Sequence, residues 1–97
     1  MKYAVIFKAE INQFDDEYSK MAAKMRDLAI NEYGCTEFVA TAEGSQEIAI
    51  SYWDNLEHIK AWKQNAEHLV AQKLGKNKWY KHYTVEVVEV IRRYSSK

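Results

Sequence analysis

The first strand-like run, Lys2 to Ala9, carries apolar side chains on both sides of its pleat: Tyr3, Val5 and Phe7 on one face, Ala4 and Ile6 on the other. Successive residues of a strand point to opposite faces, so a run of this kind has no face to give to water. The last run, Lys81 to Arg92, alternates Tyr83, Val85, Val87, Glu89 and Ile91 against His82, Thr84, Glu86, Val88 and Val90. A sheet built from such strands needs a cover on each side. With 97 residues the chain is expected to form one domain, 1–97, with a modest core, which makes help from a second subunit physically reasonable.

Between these runs the periodicity changes. From Asp15 or Asp16, either a good N-cap, apolar positions recur at Tyr18, Met21, Ala22, Met25, Leu28 and Ala29, the stripe of an amphipathic helix. Gly34 suits the left-handed position that ends it. Thr36 to Ala42 and Glu47 to Trp53 read as strands joined through Glu43-Gly44-Ser45-Gln46, a hairpin in which the glycine takes the positive φ. Asp54, with Glu57 three residues on, gives a capping-box-like start to a second helix through Leu56, Ile59 and Trp62. Asn65 is expected to break and recap it, leaving Ala66, Val70 and Leu74 on a short third helix that Gly75 ends.

The order strand, helix, strand, strand, helices, strand is that of an α+β ferredoxin-like sandwich with a four-stranded antiparallel sheet. Helices would cover one face of the sheet. Tyr3, Val5, Phe7, Val88 and Val90 are assigned to the other, and an apolar face of that size marks an association site. A second copy facing it would close a dimeric α+β barrel, so a homodimer is expected.

Composition excludes several classes. Lys plus Arg and Asp plus Glu are both 14, and a net charge of zero lacks the electrostatic footprint of a nucleic-acid binder. The apolar start, Tyr3 to Phe7, is too short for a signal-peptide core or a membrane span. A lone cysteine, Cys35, cannot form an intrachain disulfide, which agrees with a reducing, cytoplasmic setting and reads as a packed small residue. His58, His68 and His82 fit neither helical nor strand ligand spacing, so no metal site is expected. The glycines are isolated rather than gathered in a phosphate-cradling loop, so a nucleotide cofactor is disfavoured.

The stretch from Tyr52 to Tyr83 holds all three tryptophans and all three histidines. Trp62 lies three residues beyond Ile59 and four beyond His58, on the flank of its helix, where it either caps a cavity between helix and sheet or anchors the core. His68 and Gln72 are four apart and could point together into such a cavity, and histidine is the side chain best matched to proton transfer near neutral pH. Trp79 with Tyr80, and Tyr52 with Trp53, mark junctions where packing is the plainer role. Glu47 and Glu86 are expected to be solvated at an edge or paired with lysine.

A strand ending in Tyr52, the Trp53-Asp54 cap, a helix with Ala61-Trp62, a piece with Glu67-His68, then Gly75, Trp79-Tyr80 and a last strand: this layout resembles the antibiotic biosynthesis monooxygenase family. The resemblance covers most of the chain. It implies a dimeric ferredoxin-like fold and relatives among cofactor-free quinone-forming oxygenases and haem-degrading enzymes. For the first kind of activity, a small electron-rich aromatic such as a hydroquinone or an anthrone would react with O2. Trp62 and His68 would be the catalytic pair, Trp62 as wall and His68 as proton acceptor, with Phe7, Tyr52, Gln72 and Trp79 as further lining. The haem branch asks for an asparagine late in the first strand and a histidine ten residues beyond the helix tryptophan. Those positions fall near Phe7 and at Gln72, with His68 one turn early, so only Trp62 matches. A non-catalytic module that binds a small apolar molecule is the remaining alternative.

Overall fold

The computed structural model describes residues 2–12, 14–72 and 79–96, and the side chains of these apart from 69–72. Six elements follow in order: β1 (Tyr3–Ile11), α1 (Asp16–Glu32), β2 (Glu37–Glu43), β3 (Gln46–Trp53), α2 (Leu56–Gln72) and β4 (Tyr80–Glu89). The strands form one sheet in the order β2-β3-β1-β4, with every neighbouring pair antiparallel. Both helices lie over one face, which makes this the α+β ferredoxin-like sandwich that the order of elements predicts.

Local chemistry sets the boundaries. Asp15 caps α1, its carboxylate accepting the Tyr18 backbone N–H at 2.8 Å. Gly34, at φ 84°, turns the chain back after the last helical turn so that the Cys35 N–H reaches the Ala29 carbonyl at 2.9 Å. The β2–β3 hairpin closes Glu43 onto Gln46 through Gly44 and Ser45, with Gly44 at φ 60°. Asn55 caps α2, its side-chain oxygen accepting from the backbone of Glu57 at 2.7 Å and His58 at 3.1 Å.

Three expectations need correction. The cap of α2 is Asn55 and not Asp54. No break occurs at Asn65, because an internal asparagine costs a helix at most about 0.7 kcal/mol and the described part of α2 runs unbroken to Gln72. Asn65 instead donates from Nδ2 to the Tyr33 hydroxyl at 3.3 Å, tying α2 to the end of α1. The short third helix expected to end at Leu74 and Gly75 falls in part outside the described residues. The third correction concerns faces: register sets Val5 against Ser51 and Val87, and it packs with Ala29 and Ile59 under the helices, as Phe7 packs near Tyr18 and Met21. Only Val88 and Val90 of the residues assigned to the uncovered side point there, with Ala4, Ile6, Ile48, Ile50, Tyr52 and Val39 in register beside them. Strand β4 also ends at Glu89, the Val90 N–H making one further bond to the Lys2 carbonyl at 2.9 Å.

The uncovered face keeps its apolar side chains partly wet: Val39 is 51% exposed and Val88 37%. Beneath the helices the buried core divides in two. One cluster joins Val5, Ala29, Cys35, Trp53 and Ile59; the other joins Ala9, Ile11, Tyr18, Met21, Trp79 and Tyr80. Burial pushes the Cys35 thiol above its ordinary range, and its Sγ donates to the Glu37 carbonyl at 3.2 Å, the behaviour of a packed small residue. Among the described residues no helix is long and apolar enough to cross a membrane.

Candidate functional site

Between the two core clusters lies a cavity of about 810 Å3, roofed by the helices and floored by the sheet. Its floor is Val5 and Phe7 of β1, Ala40 of β2, Ala49 of β3, and Val85 and Val87 of β4. These share one face because they fall at alternate positions of their strands and in register across them. Its roof is Ala22 and Met25 of α1 with Ile59, Trp62 and Ala66 of α2. Alanines at 22, 23 and 66 are what leave the room, since a larger side chain at these turns would fill it.

One end is closed by Trp62. Its indole N–H donates to the Met25 carbonyl at 3.0 Å, clamping α2 to α1, and its ring sits 5.3 Å from Trp53 and 6.3 Å from Phe38. Trp53 beneath it is fully buried, its own N–H bonded to the Ser51 hydroxyl at 2.8 Å. The ring of Trp62 is only half buried, so one side packs and the rest lines the space.

The other end is polar at its centre and aromatic around it. Tyr18 of α1 donates its hydroxyl to Glu47 Oε1 at 2.5 Å, a short charge-assisted bond. Tyr80 stands beside Tyr18, ring centroids 5.9 Å apart, and Phe7 and Tyr83 complete the wall at 5.7 Å from one another. Burial first, and then the hydrogen bond to the Glu47 carboxylate, push the Tyr18 hydroxyl far above the ordinary phenol range. Tyr80 is pushed up to about 12, chiefly by burial. Both are therefore neutral phenols at physiological pH, and Glu47 supplies the carboxylate of this end.

The expected site residues separate. Trp62 and Phe7 line the cavity. Trp79 is fully buried in the core against Tyr18, 5.5 Å between ring centroids, and does not line it. Tyr52 is on the opposite side of the sheet, where the Arg93 guanidinium lies 5.4 Å from its ring centre. His68 is exposed on α2 and outside the lining, while the side chain of Gln72 lies outside the described residues. His58 packs beside Gly34, and His82 faces Glu10 at 3.4 Å on the surface. Glu47, expected to be solvated at an edge or paired with lysine, instead lines the cavity and accepts from Tyr18, and Tyr18 and Tyr80, read only as packing positions, form the polar end with it. Strand alternation did carry a signal for Glu47, which shares its face with Ala49, Ser51 and the buried Trp53.

A four-stranded antiparallel sheet in this order, two helices on one face and a large apolar cavity between the layers define a ferredoxin-like fold shared with antibiotic biosynthesis monooxygenases. SnoaB, a cofactor-independent oxygenase from Streptomyces nogalater, superposes with a TM-score of 0.74 at 7% identity, covering 95% of each chain. A candidate antibiotic biosynthesis monooxygenase from Nitrosomonas europaea gives 0.73 at 13% identity over 93% of this chain and 90% of its own. A dimeric ferredoxin-like protein from an uncultured marine organism gives 0.65 at 9% identity over 98% and 99%. At such identities the likeness concerns the fold. No family model matches the chain. By sequence it belongs to the family of the uncharacterized protein YqjZ of Bacillus subtilis (strain 168), to which it is 37% identical over 93 residues, 94% of this chain and 81% of that protein.

Proposed function

We propose that this protein is a cofactor-independent monooxygenase that oxidises a small, flat, electron-rich aromatic compound with O2. The observation that carries this is the cavity itself: about 810 Å3 between helices and sheet, walled mainly by aromatic and aliphatic side chains, and of a size that takes a drug-sized ligand. SnoaB, an oxygenase without cofactor, has the same fold and supports the reading.

The chemistry asks little of the protein beyond placement. For a benzylic CH2 between activating rings, loss of one proton leaves a carbanion whose electron pair reduces dioxygen. A C–O bond forms, the peroxide takes up a proton, and its O–O bond then breaks with loss of the second C–H proton. One oxygen atom ends in the new carbonyl and the other in water. Excluding water and holding the anion in an apolar, ring-lined space favour these steps. Trp62 and Phe7 serve as the aromatic faces on which the substrate lies.

The second part of the proposal is a homodimer, the sheet face bearing Ile6, Ile50 and Val88 closing against its copy as a dimeric α+β barrel. Its support is the row of half-exposed apolar side chains on that face and the dimeric state of a neighbour of the same fold. A single cysteine without an intrachain partner fits a cytoplasmic setting for both.

The test is oxygen uptake with a panel of anthrones and hydroquinones, comparing the native protein with Ala22→Phe and Ala66→Phe, which fill the cavity from its two helices. Uptake at least tenfold above the protein-free rate, lost in both variants while their circular dichroism is unchanged, is expected. Rates at the protein-free level across the panel would leave a binding module and remove the enzyme.

A further inference from the structure

The cavity is lined mainly by apolar side chains, with Arg26 and the Lys63–Glu67 ion pair along the helices, and the end away from Trp62 presents a carboxylate, Glu47, to an aromatic enclosure. Taking a carboxylate out of water is costly unless its oxygens are matched by donors. Tyr18 matches Oε1. Among the described residues no basic side chain pairs with Glu47, and Oε2 has no donor. Glu47 lines this ligand-sized space half buried, with one oxygen held by Tyr18, and so favours a ligand that brings a donor to the other.

We infer that Glu47 is a hydroxyl-binding residue: the ligand is a hydroxylated aromatic whose phenolic O–H donates to Glu47 Oε2, as the Tyr18 phenol already donates to Oε1. The bond from Tyr18 shows that a phenol and its ring fit against this carboxylate at 2.5 Å. Phe7, Tyr80 and Tyr83 supply the surrounding ring faces, with Tyr80 5.7 Å from Phe7 and 5.4 Å from Tyr83. An anionic aromatic acid is repelled at this end, and an ammonium exchanges a full hydration shell for one carboxylate oxygen.

This substrate class rests on the oxygenase reading only for its reactive step. As the bound ring gives one electron to dioxygen, its hydroxyl becomes strongly acidic. The O–H bond then breaks and the proton passes to Oε2. The balance is one phenol, one dioxygen and one carboxylate going to one phenoxyl radical, one superoxide and one carboxylic acid. Glu47 is thus the proton acceptor, and Tyr18 satisfies its other oxygen.

Binding is measured without oxygen by calorimetry on the full chain, using 2-naphthol, its methyl ether, 2-naphthoate and a naphthylmethylamine. The naphthol is expected to bind about tenfold or more tightly than the ether, the increment of a hydrogen bond to a charged group, and more tightly than the amine and the acid. In Glu47→Gln and Glu47→Leu that preference falls to about threefold or less while affinity for the ether holds. Tyr18→Phe keeps the preference for naphthol over ether. Equal binding of naphthol and ether, tighter binding of the amine, the same preference in the Glu47 variants, or no binding of any probe overturns the inference. The two readings also fail separately. Naphthol preference without oxygen uptake removes the oxygenase alone, and undiminished uptake in Glu47→Gln removes Glu47 as acceptor alone.

Discussion

Tyr18 and Tyr80 hold their protons beyond the ordinary phenol range because ionising either would place a charge in the core beside Glu47. The unfolded chain gives these protons up near pH 10, whereas the folded chain keeps them to about 12 at Tyr80 and higher still at Tyr18. Their contribution to stability is therefore full below pH 10 and is lost as pH rises through that window. Thermal melting from pH 9 to 11.5 is expected to fall more steeply for the native protein than for Tyr80→Phe, and parallel curves would show that the phenol is not held neutral by the fold. Trp62→Phe keeps most of the ring but loses the N–H bond to the Met25 carbonyl. A loss of about 1 kcal/mol in urea unfolding is expected, and an unchanged midpoint would mean that α2 is not clamped this way in solution. Trp62 was legible in the sequence because it lies three residues beyond Ile59 on the flank of the second helix, where a cavity wall was one of its two readings. His68 was misleading because its four-residue spacing from Gln72 does not fix which way it faces: on the continuous α2, two residues past the cavity-lining Ala66 places it roughly 200° around the helix. Tyr18 and Glu47 lie 29 positions apart, and no local pattern announces a pair that only tertiary packing brings together.

Elements were more legible than their ends and faces. Every strand and both main helices follow from apolar period and turn residues, and Gly34 and Gly44 adopt the positive φ that their positions suggested. Gly34 is further constrained, since a Cβ there would stand 3.0 Å from His58 Nδ1. Gly34→Ala is expected to cost about 1–2 kcal/mol from the left-handed backbone alone, read as a lowered denaturation midpoint; a neutral result would contradict the tight α1–α2 approach. Asp54 and Asn55 are both good caps, and choosing between adjacent ones needs the hydrogen bonds themselves. Asn55→Ala is expected to cost about 1 kcal/mol, with Asp54→Ala smaller, and the reverse ranking would restore Asp54 as the cap. The grouping of Tyr3, Val5 and Phe7 with Val88 and Val90 failed because alternation fixes which residues share a face within one strand but not the register between β1 and β4.

For the molecule as a whole, two small core clusters flank an open cavity, and the far face of the sheet remains apolar. A chain arranged in this way has much to gain from a second copy. Sedimentation at micromolar concentration is expected to give twice the 11.4 kDa of one chain, and Ile50→Glu, a charge at the centre of that face, to give single subunits. A native monomer would remove the barrel. The cavity leads to the most direct measurement of all, the reaction of an anthrone with 18O2 in the presence of the protein. The quinone product is expected to carry one heavy oxygen atom, at a rate that Ala66→Phe reduces at least tenfold. Product formed no faster than without protein, or formed without the label, would contradict the account.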